Sequence, residues 1–411
     1  PYFTVSASRS LFTMVSYLVK LAALTGIIAP VFAAPTPHAG LLKIRNIDAT
    51  DVVPDSYIVV YKNDIDAATI ESHEKSISSM PLSHDTHGIG ATYTMALLKG
   101  YQINADSATI AEIAAKPEVD YVEKDRIVSA NALTTQWGAP YGLSRISHKE
   151  KGLTSYVYDT SAGNGATVYV VDSGVYAEHS EFGGRASMGV NFVTGSANTD
   201  EYGHGTHCSA TIAGSTYGVA KSARIVGVKV LDAKGEGASS GVISGIQWVG
   251  TNHAPNSVLT MSLGEGYDSA VNLAVQSTYN LGVTIVVAAG NSGADASGFS
   301  PASEPSAITV GAIDSNDARA SFSNFGSLVD VFSPGVNILS AWIGSTTATN
   351  TISGTSMAAP HIAGLAAYLI ILEDITSPGA VASRIQGLAT SGMVTDAESA
   401  NNLIGYNGNG A

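Results

Sequence analysis

From position 167 onward, short continuous apolar runs alternate with longer segments whose apolar residues recur every three to four positions. The runs are TVYVVD (167–172), ARIVGVKVL (223–231), SVLTMSL (257–263), TIVVAAG (284–290) and AITVGAI (307–313). Unbroken apolar runs of this length predict strands covered on both faces. Between them lie GTHCSATIAG (205–214), SSGVISGIQWVG (239–250) and DSAVNLAVQSTYN (268–280), whose spacing predicts helices. Strands alternating with helices predict an α/β fold, a mainly parallel sheet with helices on both faces. In such sheets working residues collect at the carboxyl ends of strands. Asp172, Ser262 and Asn291 stand at or just beyond such ends.

The pattern upstream is different. SYIVVYK, DAATIESHEKSIS, ATYTMALLKGYQI, DSATIAEIAAK and VDYVEKDRIV give a strand, a helix, two strands, a helix and a strand over about 51–128. That β-α-β-β-α-β order predicts a ferredoxin-like α+β unit. Ser129 to Gln136, SANALTTQ, reads as an exposed linker. Residues 1–33 read as an N-terminal extension and a secretory signal peptide. Lys20 precedes an apolar core, and the small residues Val31 and Ala33 place the expected cleavage after Ala33. The apolar stretch Leu21–Ala34 is too short to span a bilayer, and no later segment is expected to do so.

Composition narrows the function. The 411 residues suit two or three domains, and 45% hydrophobic with 13% charged residues indicates packed globular structure. A net charge of −14 without a basic tract argues against a nucleic-acid partner. Cys208 is the single cysteine, so no bridge forms within the chain. No Asn-x-Ser/Thr acceptor occurs either.

The stretch TISGTSMAAPHIAGLAAYLI (351–370) sets Ser356 where a glycine turn gives way to an apolar run. A serine there is either a helix cap or a nucleophile. An acyl-transfer site also needs a base, a group orienting that base and donors for an oxyanion. YGHGTHCSATIAG offers His204 and His207, VVDSGV offers Asp172, and AAGNSGAD offers Asn291. The residues alone do not choose between the two histidines. A zinc site is disfavoured, because the histidines are three apart and the glutamate of H-E-x-x-H is missing. The chain order Asp–His–Ser is that of subtilisin.

VVDSGV, HGTHCSATIAG, MSLG, AAGNSGAD, SPASEPSAITVGA and ISGTSMAAPH together resemble the subtilisin-like serine proteases, in their secreted fungal branch of proteinase K and oryzin. The resemblance implies a subtilisin-like three-layer fold over 132–411, preceded by an inhibitory propeptide over 34–131 that is autocleaved near Asn131–Ala132. It implies Ser356 as nucleophile, His204 as base, Asp172 as its orienting carboxylate, and Asn291 with the Ser356 N–H as oxyanion donors. It makes Gly235-Glu236-Gly237 and Ser262-Leu263-Gly264 the backbone segments that sandwich a substrate. A pocket for a large apolar side chain is implied between the latter and Ala288-Ala289-Gly290. It implies structural calcium at Pro305, Ala307 and Asp330, and a buried Cys208 beneath His204 where a mercurial would disturb catalysis.

Two departures stand out. Glu265 replaces a glycine, and Glu236 interrupts a Gly-x-Gly segment; both are expected to disfavour acidic substrates. Ser239 stands where an aromatic wall is common, so the pocket four residues upstream of the cut is expected to be more open. The expected protein is a secreted, monomeric, broad-specificity serine endopeptidase made as a zymogen. The alternatives are a catalytically inactive relative acting as a binding protein, or a processing protease for basic sites.

Overall fold

A computed structural model describes residues 43–47, 49, 52–79, 88–127 and 133–410. The signal peptide and the expected processing site at Asn131–Ala132 lie outside the described residues. The chain divides into two compact units between Ile127 and Val128.

The first unit has strands Val52–Tyr61, Gly88–Thr94, Lys99–Asn104 and Val119–Arg126, with helices Ala67–Ser78 and Ser107–Ala114. Val119–Arg126 and Lys99–Asn104 flank Val52–Tyr61, and Gly88–Thr94 lies outside Lys99–Asn104, all antiparallel. That is the ferredoxin-like order, with a two-residue strand Ile44–Arg45 added parallel to one edge. Asp66 and Asp106 start the helices by accepting from Thr69 N and Thr109 N.

In the second unit the apolar runs form the middle of a nine-stranded sheet. Strands Thr167–Asp172, Ser257–Met261, Thr284–Ala288 and Ile308–Ile313 are buried along their whole length, which is why they read as unbroken apolar runs. All strand pairs in this sheet are parallel except Thr390–Ser391 with Leu403–Ile404. Thr167–Asp172 lies between Arg224–Lys229 and Ser257–Met261. The chain therefore leaves this strand to build first one side of the sheet and then the other. A crevice opens beyond the carboxyl end at such a switch point.

The expected linker is corrected in part. Leu133–Trp137 is a strand, paired antiparallel with Ser155–Asp159. Its partner comes after the helix Tyr141–Ser147, so no hairpin signal marks the pairing in the sequence.

Helix Thr355–Leu372 packs on three central strands and on helix His204–Ala213. It is long and apolar enough by composition to cross a membrane, contrary to the expectation that no later segment would be. With 83% of it buried inside the unit, its apolar surface is used as core. Gly364 permits this closeness, since a Cβ there would lie 2.8 Å from Val219 Cβ and 3.1 Å from the Ile212 carbonyl oxygen.

Candidate active site

Asp172 ends the strand at the switch point and is fully buried. Both of its carboxylate oxygens face His204 Nδ1, at 2.8 and 2.9 Å. The Ser173 N–H donates to Asp172 Oδ1 at 2.7 Å, which fixes the carboxylate from behind. His204 is the first residue of its helix and keeps 17% side-chain exposure. Burial works against a charged imidazole here, but Asp172 and Cys208 together outweigh it and raise the His204 pKa well above its ordinary value.

His207 is turned away from this centre. Its Nε2 lies 3.0 Å from the Ile338 carbonyl, and burial pushes its pKa down to about 4. Of the two histidines, only His204 reaches Asp172.

Ser356 is the second residue of its helix, and that helix has no side-chain cap. Its hydroxyl donates to the Ser262 carbonyl at 2.9 Å. The return contact involves Pro360 in the same helix. Proline lacks the N–H that would close the helical bond to residue 356. The Ser356 carbonyl instead accepts from Ser262 Oγ at 2.9 Å and from Cys208 Sγ at 3.3 Å. Cys208 is buried and lies 4.0 Å from His204 Nδ1, and burial raises its thiol pKa.

Asn291 Oδ1 accepts from Thr355 N at 2.8 Å and from Thr355 Oγ1 at 2.9 Å. With the oxygen committed to Thr355, the amide N–H groups are aimed away from it. A Cβ built on Gly354 would lie 3.6 Å from both Asn291 Nδ2 and the Ser356 nitrogen. The two donors therefore border one space, which stays open because residue 354 is glycine.

Two adjoining cavities complete the crevice. One, of about 310 Å³, brings Leu263-Gly264 and Ala288-Ala289-Gly290 together with Asn291 and Ser356. The other, of about 380 Å³, runs from His204 between Gly235-Glu236-Gly237 and Ser262-Leu263-Gly264. Neither backbone segment belongs to a sheet in the described structure, and Glu236 is held by Asp232, donating its N–H to Oδ1 at 3.0 Å and accepting from Asp232 N at 2.8 Å.

Sequence reasoning missed Asp200. This buried carboxylate accepts from Ser173 Oγ, Tyr202 N and Gly203 N at 2.9, 3.0 and 2.8 Å, and from Thr206 N and Oγ1 at 2.9 and 2.6 Å. It ties the start of the His204 helix to the residue after Asp172. An aspartate a few residues before a helix start was the available signal. Thr355, which orients Asn291, was also missed.

At the expected metal site, the N–H of Thr309, two residues after Ala307, donates to Asp330 Oδ2 at 2.9 Å. Gln386 Nε2 donates to the other oxygen at 3.1 Å. Burial pushes the Asp330 carboxyl up to about 6. A partly buried carboxylate is an oxygen ligand of the kind a hard cation such as calcium takes, and a bound cation would offset the burial of its charge. Pro305 is exposed and Ala307 buried.

The family model described as "Subtilase family" matches residues 163–406. The chain belongs to that family. A second model, "Peptidase inhibitor I9", matches residues 56–131. "Subtilisin-like protease 2" of Pseudogymnoascus destructans is 57% identical over 395 residues, which cover 95% of this chain and 99% of that protein. "Alkaline protease 1" of Aspergillus clavatus is 48% identical, covering 88% and 93%. "Cuticle-degrading protease" of Metarhizium anisopliae is 45% identical, covering 94% and 99%. Among solved structures, "Crystal structure of a cold adapted subtilisin-like serine proteinase" is 46% identical with a TM-score of 0.64, covering 66% of this chain and 98% of that one. This subtilase is thus a serine peptidase with an inhibitor-type propeptide in its first unit.

Proposed function

We propose that this subtilase is a secreted endopeptidase of broad specificity that cuts after large apolar or aromatic residues by way of an acyl-enzyme. The paired contact of His204 Nδ1 with both Asp172 oxygens, in the same crevice as Ser356, carries this reading. Asp172 holds the proton on Nδ1, leaving Nε2 to accept the Ser356 proton. Ser356 Oγ then bonds to the scissile carbonyl carbon, and Asn291 Nδ2 with the Ser356 N–H receives the oxyanion. Collapse breaks the C–N bond as His204 returns its proton to the leaving amine. Water, activated by the same histidine, releases the acyl group.

The resting contact of Ser356 Oγ with the Ser262 carbonyl suggests how substrate starts this sequence. A peptide strand laid along Ser262–Gly264 offers its own N–H to that carbonyl. The serine hydroxyl is then freed for His204.

The apolar preference rests on the small residues of Ala288-Ala289-Gly290, which leave the 310 Å³ cavity open beside Ser356. Main-chain pairing with Gly235–Gly237 and Ser262–Gly264 is tolerant of sequence and supports breadth. Calcium at Pro305, Ala307 and Asp330 would brace the loops before two paired strands. Release of the first unit by a cut near Asn131–Ala132 is supported by the inhibitor match, which ends at 131. Export is supported by the leader pattern of residues 14–33.

The test is hydrolysis of a chromogenic tetrapeptide with phenylalanine before the scissile bond. Turnover abolished by Ser356→Ala, and in the parent enzyme by a serine-directed sulfonyl fluoride, is the expected result. A folded, propeptide-free enzyme that cleaves neither this peptide nor unfolded protein would overturn the reading.

A further inference from the structure

The 380 Å³ cavity has two chemically different ends. One has the neighbouring rings of Tyr202 and His204, 6.3 Å apart, while the other has Leu231, Val242, Leu263 and Val271, which belong to one apolar cluster. At its rim stand Glu265 and Ser239. The Ser239 hydroxyl lies 2.8 Å from each Glu265 oxygen, donating to the carboxylate across the mouth. Ser239 is the first residue of helix Ser239–Asn252, whose preceding residue Ala238 supplies no side-chain cap. The Glu265 backbone is anchored by antiparallel pairing with Ser300. Glu236 also lines the cavity, and among the described residues no lysine or arginine does.

We infer that this end of the cavity selects a cationic substrate side chain, lysine or arginine, at the fourth residue before the scissile bond. The inference rests on the peptidase reading above and deepens it. In an extended peptide, alternate side chains share a face. With the residue before the bond in the Ser356 cavity, the second residue before it meets His204. The fourth then follows on the same face and reaches the apolar floor. Lysine and arginine match this end in both respects. Their methylene stems cover Val242, Leu263 and Val271, while the charged head stays at the wet rim. There Glu265 retains acceptor capacity beyond its bond to Ser239. An acidic side chain would meet Glu265 without a compensating cation, and an aliphatic one would fill the floor but leave the rim unanswered. Residues 132–411 alone carry 10 Lys and Arg against 20 Asp and Glu, a net charge of −10 that adds a long-range attraction of the same sign.

The experiment is kcat/KM of the mature full-length peptidase unit on X-Ala-Ala-Phe-p-nitroanilide, with X as arginine, norleucine or glutamate. At low ionic strength arginine should exceed norleucine about three-fold, and norleucine should exceed glutamate by a similar factor, the range of an exposed charge pair. High salt should compress the series. In Glu265→Gln the arginine-to-glutamate ratio should fall toward one, each ratio being taken within one enzyme so that absolute activity does not enter. Equal cleavage of the arginine and glutamate peptides by the parent enzyme would overturn the inference. So would an unchanged ratio in Glu265→Gln. The parent series decides the direction even if the variant fails to fold. Norleucine separates the two levels: absence of any cleavage counts against the peptidase reading, whereas cleavage with a flat series counts only against this one.

Discussion

Pro360 leaves the Ser356 carbonyl to Ser262 and Cys208, so the backbone of the proposed nucleophile is held by side chains from two other segments. Removing the Ser262 hydroxyl should lower stability by about 1 kcal/mol, measured by urea unfolding, with Cys208 left as the remaining donor. Asn291→Ala should lower kcat about 10²–10³-fold with KM little changed, the magnitude known for the side-chain donor of subtilisin itself. Asp172, His204 and Cys208 have potential ligand atoms within 4.8 Å of one another. A mercurial seated on Cys208 should therefore suppress turnover, while Cys208→Ala should resist it; equal inhibition of both would exclude this placement. The pH dependence has a definite sign. His204 must be neutral to accept the Ser356 proton, and Asp172 and Cys208 together raise its pKa despite burial. Activity should consequently fall on acidification, through an ionisation lying above the usual histidine value of about 6.5.

At the scale of elements, two helices carry buried histidines that the fold keeps neutral. His207 in helix His204–Ala213 and His361 in helix Thr355–Leu372 are both pushed down to about 4 by burial. The unfolded chain would bind these protons near 6.5, so both contributions are fully present above that pH. They decline as pH falls from about 6.5 toward 4. Each amounts to on the order of 3 kcal/mol at the acid end. Thermal unfolding of the peptidase unit across this window checks the sign: a Tm that rises on acidification would contradict it. These helices also show where reading by pattern works. The Thr355–Leu372 helix is buried nearly all round, and its small residues record its closeness to strands and to its neighbour. The strand Leu133–Trp137 was misread because its partner lies beyond an intervening helix.

For the whole molecule, an ion pair joins distant parts of the peptidase unit. Arg145 Nε donates to Asp317 Oδ1 at 2.8 Å, and Arg145 Nη1 donates to the His148 carbonyl at 2.6 Å. Both side chains are almost wholly buried. Asp317→Ala should cost about 3–5 kcal/mol by denaturant unfolding, because it strands a buried guanidinium. Bound calcium at Asp330 would add stability by mass action. A chelator should then lower the Tm of the parent enzyme, and Asp330→Asn should remove most of that difference. If chelation leaves the parent Tm unchanged, the calcium assignment fails.

The sequence by itself determined the layers and the places where chemistry collects. Apolar runs mark the central strands because those strands are covered on both faces, and the short motifs around Asp172, His204, Asn291 and Ser356 are local enough to be read in order. The residues alone left open which histidine faces Asp172, since both lie within one helical turn; the family motif pointed to His204, and the tertiary structure turns His204 toward Asp172 and His207 toward the Ile338 carbonyl. It alone revealed Asp200 as the tie between the His204 helix and the residue after Asp172, and Thr355 as the group that aims Asn291. It also joined Ser239 to Glu265, residues separated in the chain by a helix and a strand. Hydropathy records how deeply each segment is covered; which polar groups then meet depends on how those segments cross.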